Sequence, residues 1–405
     1  MSQNSGSHAE RGGVFAGLDR SLLMLFLLNT GNALAMEAVN ALFPLYVQSL
    51  GATVLEVGLL LSASGLVSTA VMLPSGWMSD RFGRKPTLVL SVALASFPPL
   101  LYTFVADWRQ LIPWAVIYAV SFAIFIPARM VYIAESTDSG GRVRMYGYMN
   151  LAWPLGSLVG PAVAGALAEV GGFHYPFYFA AAVSSLTLLP AMLLAERRRP
   201  RTLDAHAEEP LRGRVGFSRE VVYLLIVLAV YQLLVSAGIG TAYSLLSIFL
   251  TQVFAVEKLY VGLFFSLVGV SLFGSQLLGG WASSRFGLKK TMGVCLAFIP
   301  PLFVACAFAP NYEWFTVTFM ALYGLYSMTW PASVAILMSL VDRSRWGLAT
   351  GIRQTGVRLG FTVGPTLGGA LWELYGPRAP FYASAALIAL SIPFLNQLKE
   401  ECSTA

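Results

Sequence analysis

Gly76-Trp77-Met78-Ser79-Asp80-Arg81-Phe82-Gly83-Arg84-Lys85 recurs 204 positions later as Gly280-Trp281-Ala282-Ser283-Ser284-Arg285-Phe286-Gly287-Leu288-Lys289. The same offset places Pro127-Ala128 on Pro331-Ala332, and Gly156, Gly160, Pro161 and Gly165 on Gly360, Gly364, Pro365 and Gly369. It also places Glu169 on Glu373, and Pro176-Phe177-Tyr178 on Pro380-Phe381-Tyr382. No gap is needed across roughly 100 residues of each half, and repeats of this kind define the architecture. Coincident Gly, Pro and Trp at one fixed offset are improbable by chance. The chain therefore reads as two copies of one unit in like orientation.

Composition identifies the unit. Of 405 residues, 57% are hydrophobic and 11% charged, whereas a soluble domain carries about 25% charge. Mean hydropathy is +0.68. Twelve apolar segments follow one another, at about 20–48, 54–79, 86–106, 110–136, 144–169, 176–195, 220–251, 258–283, 290–309, 314–340, 347–373 and 379–397. At 1.5 Å rise per residue each is long enough to span a bilayer as helix. They are too long, and too poor in two-residue alternation, for membrane strands. The expected fold is an all-α polytopic membrane protein with twelve transmembrane helices in two six-helix bundles. Residues 1–195 would form the first bundle with a short polar tail, 196–219 a charged linker, and 220–405 the second bundle. A soluble enzyme, a disordered protein and a disulfide scaffold are excluded. The three cysteines and three histidines show no ligand spacing, so no metal site or cofactor is expected. No short apolar stretch with a cleavage site follows the tail, so no signal peptide is expected.

Basic residues set the orientation. The even-numbered connections and both tails hold twenty Lys and Arg, and the odd-numbered connections hold three: Arg109, Lys258 and Arg378. Both termini are therefore expected in the cytoplasm, with the protein integral to the cell membrane. The net charge of +6 is a topology signal and not a nucleic-acid footprint. Three arginines remain inside spans: Arg129, Arg353 and Arg358.

The motif that opens this section resembles the signature between the second and third helices of the major facilitator superfamily. The resemblance covers nearly the whole chain: helix count, central linker and duplicated signature. It implies two bundles around a central cavity that opens to each side in turn, as parallel repeats do in that family. Gly76 and Gly83 would allow close backbone approach and a tight turn. Asp80 would accept hydrogen bonds at a neighbouring helix N-terminus, and the resemblance implies the start of span 11, near Trp346. Glu135 ends span 4 on the same side and can pair with Arg81 or Arg84. In the second copy Asp80, Arg84 and Glu135 become Ser284, Leu288 and Ser339 together. That joint loss suggests one network, a cytoplasmic gate that also includes Lys85. A plain topology anchor is the alternative.

Span 5 carries Gly147, Gly156, Gly160, Pro161 and Gly165, with Ala164 in place of one glycine. Span 11 carries Gly351, Gly360, Gly364, Pro365, Gly368 and Gly369. Both resemble the antiporter signature of the family's drug and metabolite exporters. Small residues let helices approach in lipid and Pro bends them. Tight packing alone would explain the glycines; the full spacing, twice, implies export.

Polar residues within spans mark the expected site. Asn29, Asn32, Met36, Glu37 and Asn40 share one face of span 1 within ~140° at 100° per residue. Glu37 lies ~26 Å from Arg20 along the helix rise, too deep for its side chain to reach water along the helix. A carboxylate there costs about 2.5–3.5 kcal/mol on insertion scales, so leaving water favours its neutral form. Glu37 would take and release a driving proton or meet a cationic substrate; a neutral residue locking helix packing is the alternative. Span 7 offers Gln232, Ser236, Gly240, Tyr243 and Ser247, with Thr241 at the position equivalent to Glu37. Arg129 reaches partway out or pairs with Glu37 or substrate. Gln354, Arg358 and Thr362 share a face of span 11, and Asn150 is the repeat partner of Gln354. Arg358 binds an anionic group, pairs with an acid or anchors packing, whereas Arg353 points elsewhere and is structural. Trp153, Tyr243, Tyr323, Tyr326 and Trp330 are candidate aromatic walls.

The expected activity is secondary transport, specifically proton-coupled export of a small amphipathic or drug-like compound. A uniporter, an uptake symporter and a lipid flippase stay open on the same fold. A receptor or membrane enzyme is the remote alternative, since no P-loop or HExxH motif is present. The expected partners are substrate, proton and membrane lipid. One duplicated chain completes the fold, so a monomer is expected.

Overall fold

A computed structural model describes residues 20–136, 145, 149, 151–196, 219–341 and 346–397. Gly147, Asn150 and nearly all of the 196–219 linker lie outside the described residues. Helix occupies all twelve expected segments, and the described residues contain no strand. The elements are α1 (Arg20–Ser49), α2 (Val54–Phe82), α3 (Arg84–Ser96, continued by Pro98–Tyr102), α4 (Leu111–Glu135), α5 (Ala152–Gly171) and α6 (His174–Leu186, continued by Leu188–Leu193). They continue as α7 (Arg219–Tyr243, continued by Leu246–Val253), α8 (Lys258–Phe286), α9 (Leu288–Ala307), α10 (Tyr312–Leu340), α11 (Trp346–Tyr375) and α12 (Ala379–Gln397). Among the described residues, nine helical stretches are long and apolar enough to cross a membrane. The other three are α3, which is split, and α10 and α11, which are rich in Gly, Ser, Thr, Tyr and Trp. The twelve-helix membrane architecture accommodates all of them.

Three spans are broken, and each break has a local cause. Pro98 and Pro99 start the second piece of α3, because a proline lacks the amide and clashes with the preceding turn. In α6, Pro190 stands in the first turn of the second piece, two residues after it begins at Leu188. In α7 no proline is present; Thr241 and Ser244 hydroxyls donate to the carbonyls of Ala237 (2.7 Å) and Gly240 (2.6 Å). Such back-bonding bends helices, and the chain turns at Ser244–Leu245. The sharp turns α2–α3 and α8–α9 rest on Gly83 (φ 98°) and Gly287 (φ 93°), a conformation that disfavours any side chain. Thr53 and Glu56 form a reciprocal cap at the start of α2 (3.2 and 2.9 Å).

The helices pack in two sets. In the first, α1 lies against α5 and α6, and α4 against α2 and α3. In the second, α7 lies against α11 and α12, and α10 against α8 and α9. The sets meet along α2–α11 and α5–α8, which the 204-residue offset interchanges. One apolar core runs through both sets and includes Val54, Leu60, Ala164, Leu245, Val261 and Phe264. A second cluster, including Leu22, Leu88, Phe125, Ala128 and Tyr132, belongs to the first set alone. It lies toward the end where the Lys- and Arg-rich connections gather, here called the basic end. The two sets are thus welded toward the opposite end and separate toward the basic end.

Candidate substrate cavity and the seams around it

Between the sets lies a cavity of about 640 Å³, within the size range of small-molecule sites. Its floor is formed where the sets touch, by Gly65, Ser157, Gly269, Phe361 and Thr362. Its walls continue down α4 to Arg129 and Met130 and down α10 to Trp330. Met130 and Trp330 are 45% and 41% exposed, so the cavity is open toward the basic end.

Glu37 lines this cavity from α1. Trp153 and Ser157 line the same cavity from α5, which packs closely on α1. Gly160 makes that approach feasible: a Cβ there would lie 3.3 Å from the Glu37 Cβ and 2.6 Å from the Leu34 carbonyl. Opposite stands an aromatic wall in which Tyr243 stacks on Tyr323 (5.2 Å, 19°) and meets Phe265 edge-on (5.7 Å, 77°). Phe122 packs on Trp153 (5.6 Å). Gln354 and Arg358 line the cavity from α11, and Gln276 from α8.

Several expected contacts fall elsewhere. Asn29 is fully buried: its amide donates to the Met149 carbonyl (2.8 Å) and its oxygen accepts from Arg129 (2.8 Å). Instead of meeting substrate, it positions Arg129, which does line the cavity. Asn32, Gln232 and Ser236 are also buried, and with Met36 they lie outside the cavity lining. The physical reason is helix crowding: Gly156 and Gly360 bring α5 and α11 onto the flanks of α1 and α7 that carry those residues. A Cβ on Gly156 would lie 2.6 Å from Ala33, and one on Gly360 2.7 Å from the Ser236 Cβ. Tyr326 is likewise off the wall. Arg353 donates to Ser333 and Gln354 (3.4 Å each). Gln276, Ser68 and Thr69 line the cavity without having been anticipated. They are uncharged groups in apolar runs, and only their helical register with Gly269 and Gly65 hints at them.

At the basic end, Arg84 bonds Asp80 (2.8 Å) and Glu135 (3.0 Å), and donates to the Ser79 carbonyl. Arg81 instead stacks over Trp77 and Phe82 (5.2 and 6.0 Å). Asp80 is 66% exposed at its side chain, and its partner in this conformation is Arg84 and not the start of α11. Lys85 forms no ion pair among the described residues. Gly76 has no close neighbour: a Cβ there would meet nothing within 4 Å, nor would one on Gly280 or Gly351. The close approach expected at Gly76 is absent because the two sets diverge at this end.

The opposite end is closed by two copies of one seam. A Cβ on Gly58 would collide with the Pro365 carbonyl, and one on Gly262 with the Pro161 carbonyl. The amide after each proline, which the kink frees from the helix ladder, bonds a serine across the seam. Ala162 N donates to Ser266 Oγ (3.0 Å), and Thr366 N to Ser62 Oγ (3.2 Å). One step further out, Glu373 accepts from the Leu55 amide (2.9 Å) and Glu169 from the Lys258 amide (3.1 Å). Each carboxylate thereby caps the first turn of a helix in the other set. Gly369 and Gly165 make room, pressed on Val54–Leu55 and on Lys258. Gly364 and Gly368 pack on Gly240 and Thr241 within the second set.

Known proteins share this organisation. The chain is 24% identical over 354 residues to the quinolone resistance protein NorA of Staphylococcus aureus (strain MRSA252), covering 86% of this chain and 89% of that one. A bacterial homolog of the human lysosomal transporter Spinster, solved in an inward-facing and occupied conformation, superposes with a TM-score of 0.77 at 15% identity, over 94% of this chain and 97% of that one. A D-xylose–proton symporter superposes with a TM-score of 0.73 at 17% identity, over 94% and 97%. The family model of the Major Facilitator Superfamily matches residues 25–237 and 228–400. Duplicated bundles, a cavity between them and a match across both halves lead to one assignment: this chain belongs to the major facilitator superfamily of membrane transporters.

Proposed function

We infer that the protein exports a small amphipathic compound in exchange for protons, by alternating exposure of the central cavity. The observation that carries this reading is Glu37, a membrane-embedded carboxyl that lines the cavity together with Trp153 and Ser157. A carboxyl that shares the cavity with a polar pair on α5 has a route to gain and lose a proton as the cavity changes sides. Relatives named for quinolone resistance, and the duplicated glycine–proline signature of α5 and α11, support export.

The energetics are sufficient. One proton crossing 100 mV releases about 2.3 kcal/mol, and one pH unit adds about 1.36 kcal/mol. Together, ~3.7 kcal/mol sustains a roughly 500-fold gradient of a neutral substrate at one-to-one exchange.

In this reading the double seam closes the outer side, and the cavity opens to the cytoplasm. The Asp80–Arg84–Glu135 cluster would form the inner gate when Asp80 reaches the start of α11. Both termini lie in the cytoplasm, and the protein acts in the cell membrane as a monomer. The test is flux in proteoliposomes under an imposed pH gradient, comparing wild type with Glu37→Gln. Uphill flux is expected to vanish in the variant while passive exchange persists. Unchanged uphill flux in Glu37→Gln would remove Glu37 as the carrier.

A further inference from the structure

Three arginines lie within the spans, and their surroundings differ. Arg129 donates to Asn29. Arg353 donates to Ser333 and Gln354. Arg358 lines the cavity; its Nε is buried without an acceptor, as are those of Arg129 and Arg353, but among the described residues no ion pair or hydrogen bond engages the rest of its guanidinium. It lies about 18 Å from the start of α11 by helix rise, too deep for its head group to reach the interface along the helix. A guanidinium does not shed its proton to escape this cost. The charge thus faces the cavity without a protein counter-ion, as intramembrane charges that serve a transport path do.

Among the described residues no acid pairs with it. Glu37 is the only carboxyl within the membrane interior among the described residues, and no ion pair joins it to an arginine there. The remaining described acids stand at helix ends. Around Arg358 the cavity offers groups that complete an oxyanion site. Gln354 and Thr362 lie one turn to either side on the same face, and Gln276 lines the same cavity from α8. Tyr243 and Tyr323 form a flat apolar wall in the same cavity.

Resting on the transport reading of this cavity, we propose that Arg358 binds the anionic group of the substrate, which is an amphipathic organic monoanion such as an aryl carboxylate. The planar guanidinium fork takes the two oxygens, and the apolar body lies against the Tyr243–Tyr323 stack. Glu37 stays a separate group that handles the proton. An anionic lipid headgroup shares the oxyanion chemistry, so the test must separate the two.

The full-length protein is placed in phosphatidylcholine vesicles, and three matched probes are titrated: 2-naphthoate, methyl 2-naphthoate and 2-naphthylmethylamine. Wild type is expected to bind naphthoate at least tenfold more tightly than the ester or the amine. In Arg358→Gln that ratio falls to about one while ester affinity is unchanged, which also reports an intact cavity. Arg358→Lys, which keeps the charge and loses the fork, falls between. Equal binding of ester or amine by wild type overturns the proposal and leaves the transport reading standing. Failure of all three probes to bind or cross removes the transport reading and the proposal together. If one-fifth phosphatidylglycerol suppresses naphthoate binding more than tenfold, the site belongs to lipid headgroups and the proposal fails.

Discussion

In the first bundle Arg84 is clasped between Asp80 and Glu135; at the equivalent places in the second stand Leu288, Ser284 and Ser339. Glu37 faces the cavity, while its counterpart Thr241 is buried and bonded to its own helix. Arg358, conversely, belongs to the second bundle, where the first has Pro154. At the closed seam the two bundles remain alike: Gly58 and Gly262, Ser62 and Ser266, Glu169 and Glu373 repeat the same contacts. Charge on the cavity and at the basic end has diverged between the copies, whereas the contacts made to main chain at the closed seam, Glu169 and Glu373 included, have not. The contrast separates two tasks. Contacts that both bundles must make with each other are constrained in pairs, because each copy presents half of the other's interface. In the proposed reading, groups that meet a proton, a substrate or a gate act once and need only one copy.

The largest effect is expected from moving the acid. Glu37→Gln should lower pH-driven flux by more than 100-fold, and Glu37→Gln combined with Thr241→Glu should not restore it, because Thr241 packs against Gly368. Restored flux in the double variant would show that either copy can carry the proton, and would break the contrast.

A smaller but matched pair of losses is expected at the seam. Gly58→Leu and Gly262→Leu each force a side chain onto a proline carbonyl in the other set, and overpacking costs about 1–3 kcal/mol or more. Both should hold the seam end open and reduce flux by about tenfold or more, to a similar degree. Spin labels across the seam end would show a longer distance; unequal effects would mean the seams are not equivalent.

At the basic end the copies should differ. Glu135→Gln removes a partner of buried Arg84 and is expected to reduce flux several-fold to tenfold, with the balance shifted further toward the open cavity. Ser339→Ala, its counterpart, should leave flux within twofold. Similar losses at both positions would make the network a structural anchor instead of a gate.

The smallest effect concerns the carboxylate caps. Removing a helix cap costs about 0.5–2 kcal/mol, so Glu169→Ala and Glu373→Ala should each move the conformational balance by roughly fivefold at ~1 kcal/mol. The double variant should show nearly the product, since well-separated sites add. Single-molecule distance distributions give the populations directly.

Much of this organisation was legible from spacing. The offset of 204 fixed the two bundles, and the Arg-Phe-Gly recurrence marked turns that Gly83 and Gly287 then occupy with positive φ. Membrane charge singled out Glu37, Arg129 and Arg358, and all three line the cavity. What escaped was mostly a matter of angle and conformation. Asn29 shares a helix face with Glu37, yet one flank of that face is covered by α5 and the other is open, which a helical projection does not distinguish. The break in α7 comes from hydroxyl back-bonding, a choice of rotamer that sequence does not display. Gly76 lacks its expected neighbour because the bundles diverge there in this state. Gln276 carries no charge and lies in an apolar run, so only tertiary placement reveals it.

The caps at the closed end grip main-chain amides, not side chains. The residues at positions 55 and 258 can therefore drift through nearly the whole amino-acid alphabet without loosening the grip, with proline as the exception. Lys258 opens α8, the first helical position, where proline is ordinarily among the most welcome residues. A saturation library at that codon should reverse the usual ranking: broad tolerance, and rejection of the one residue that most helices would accept there.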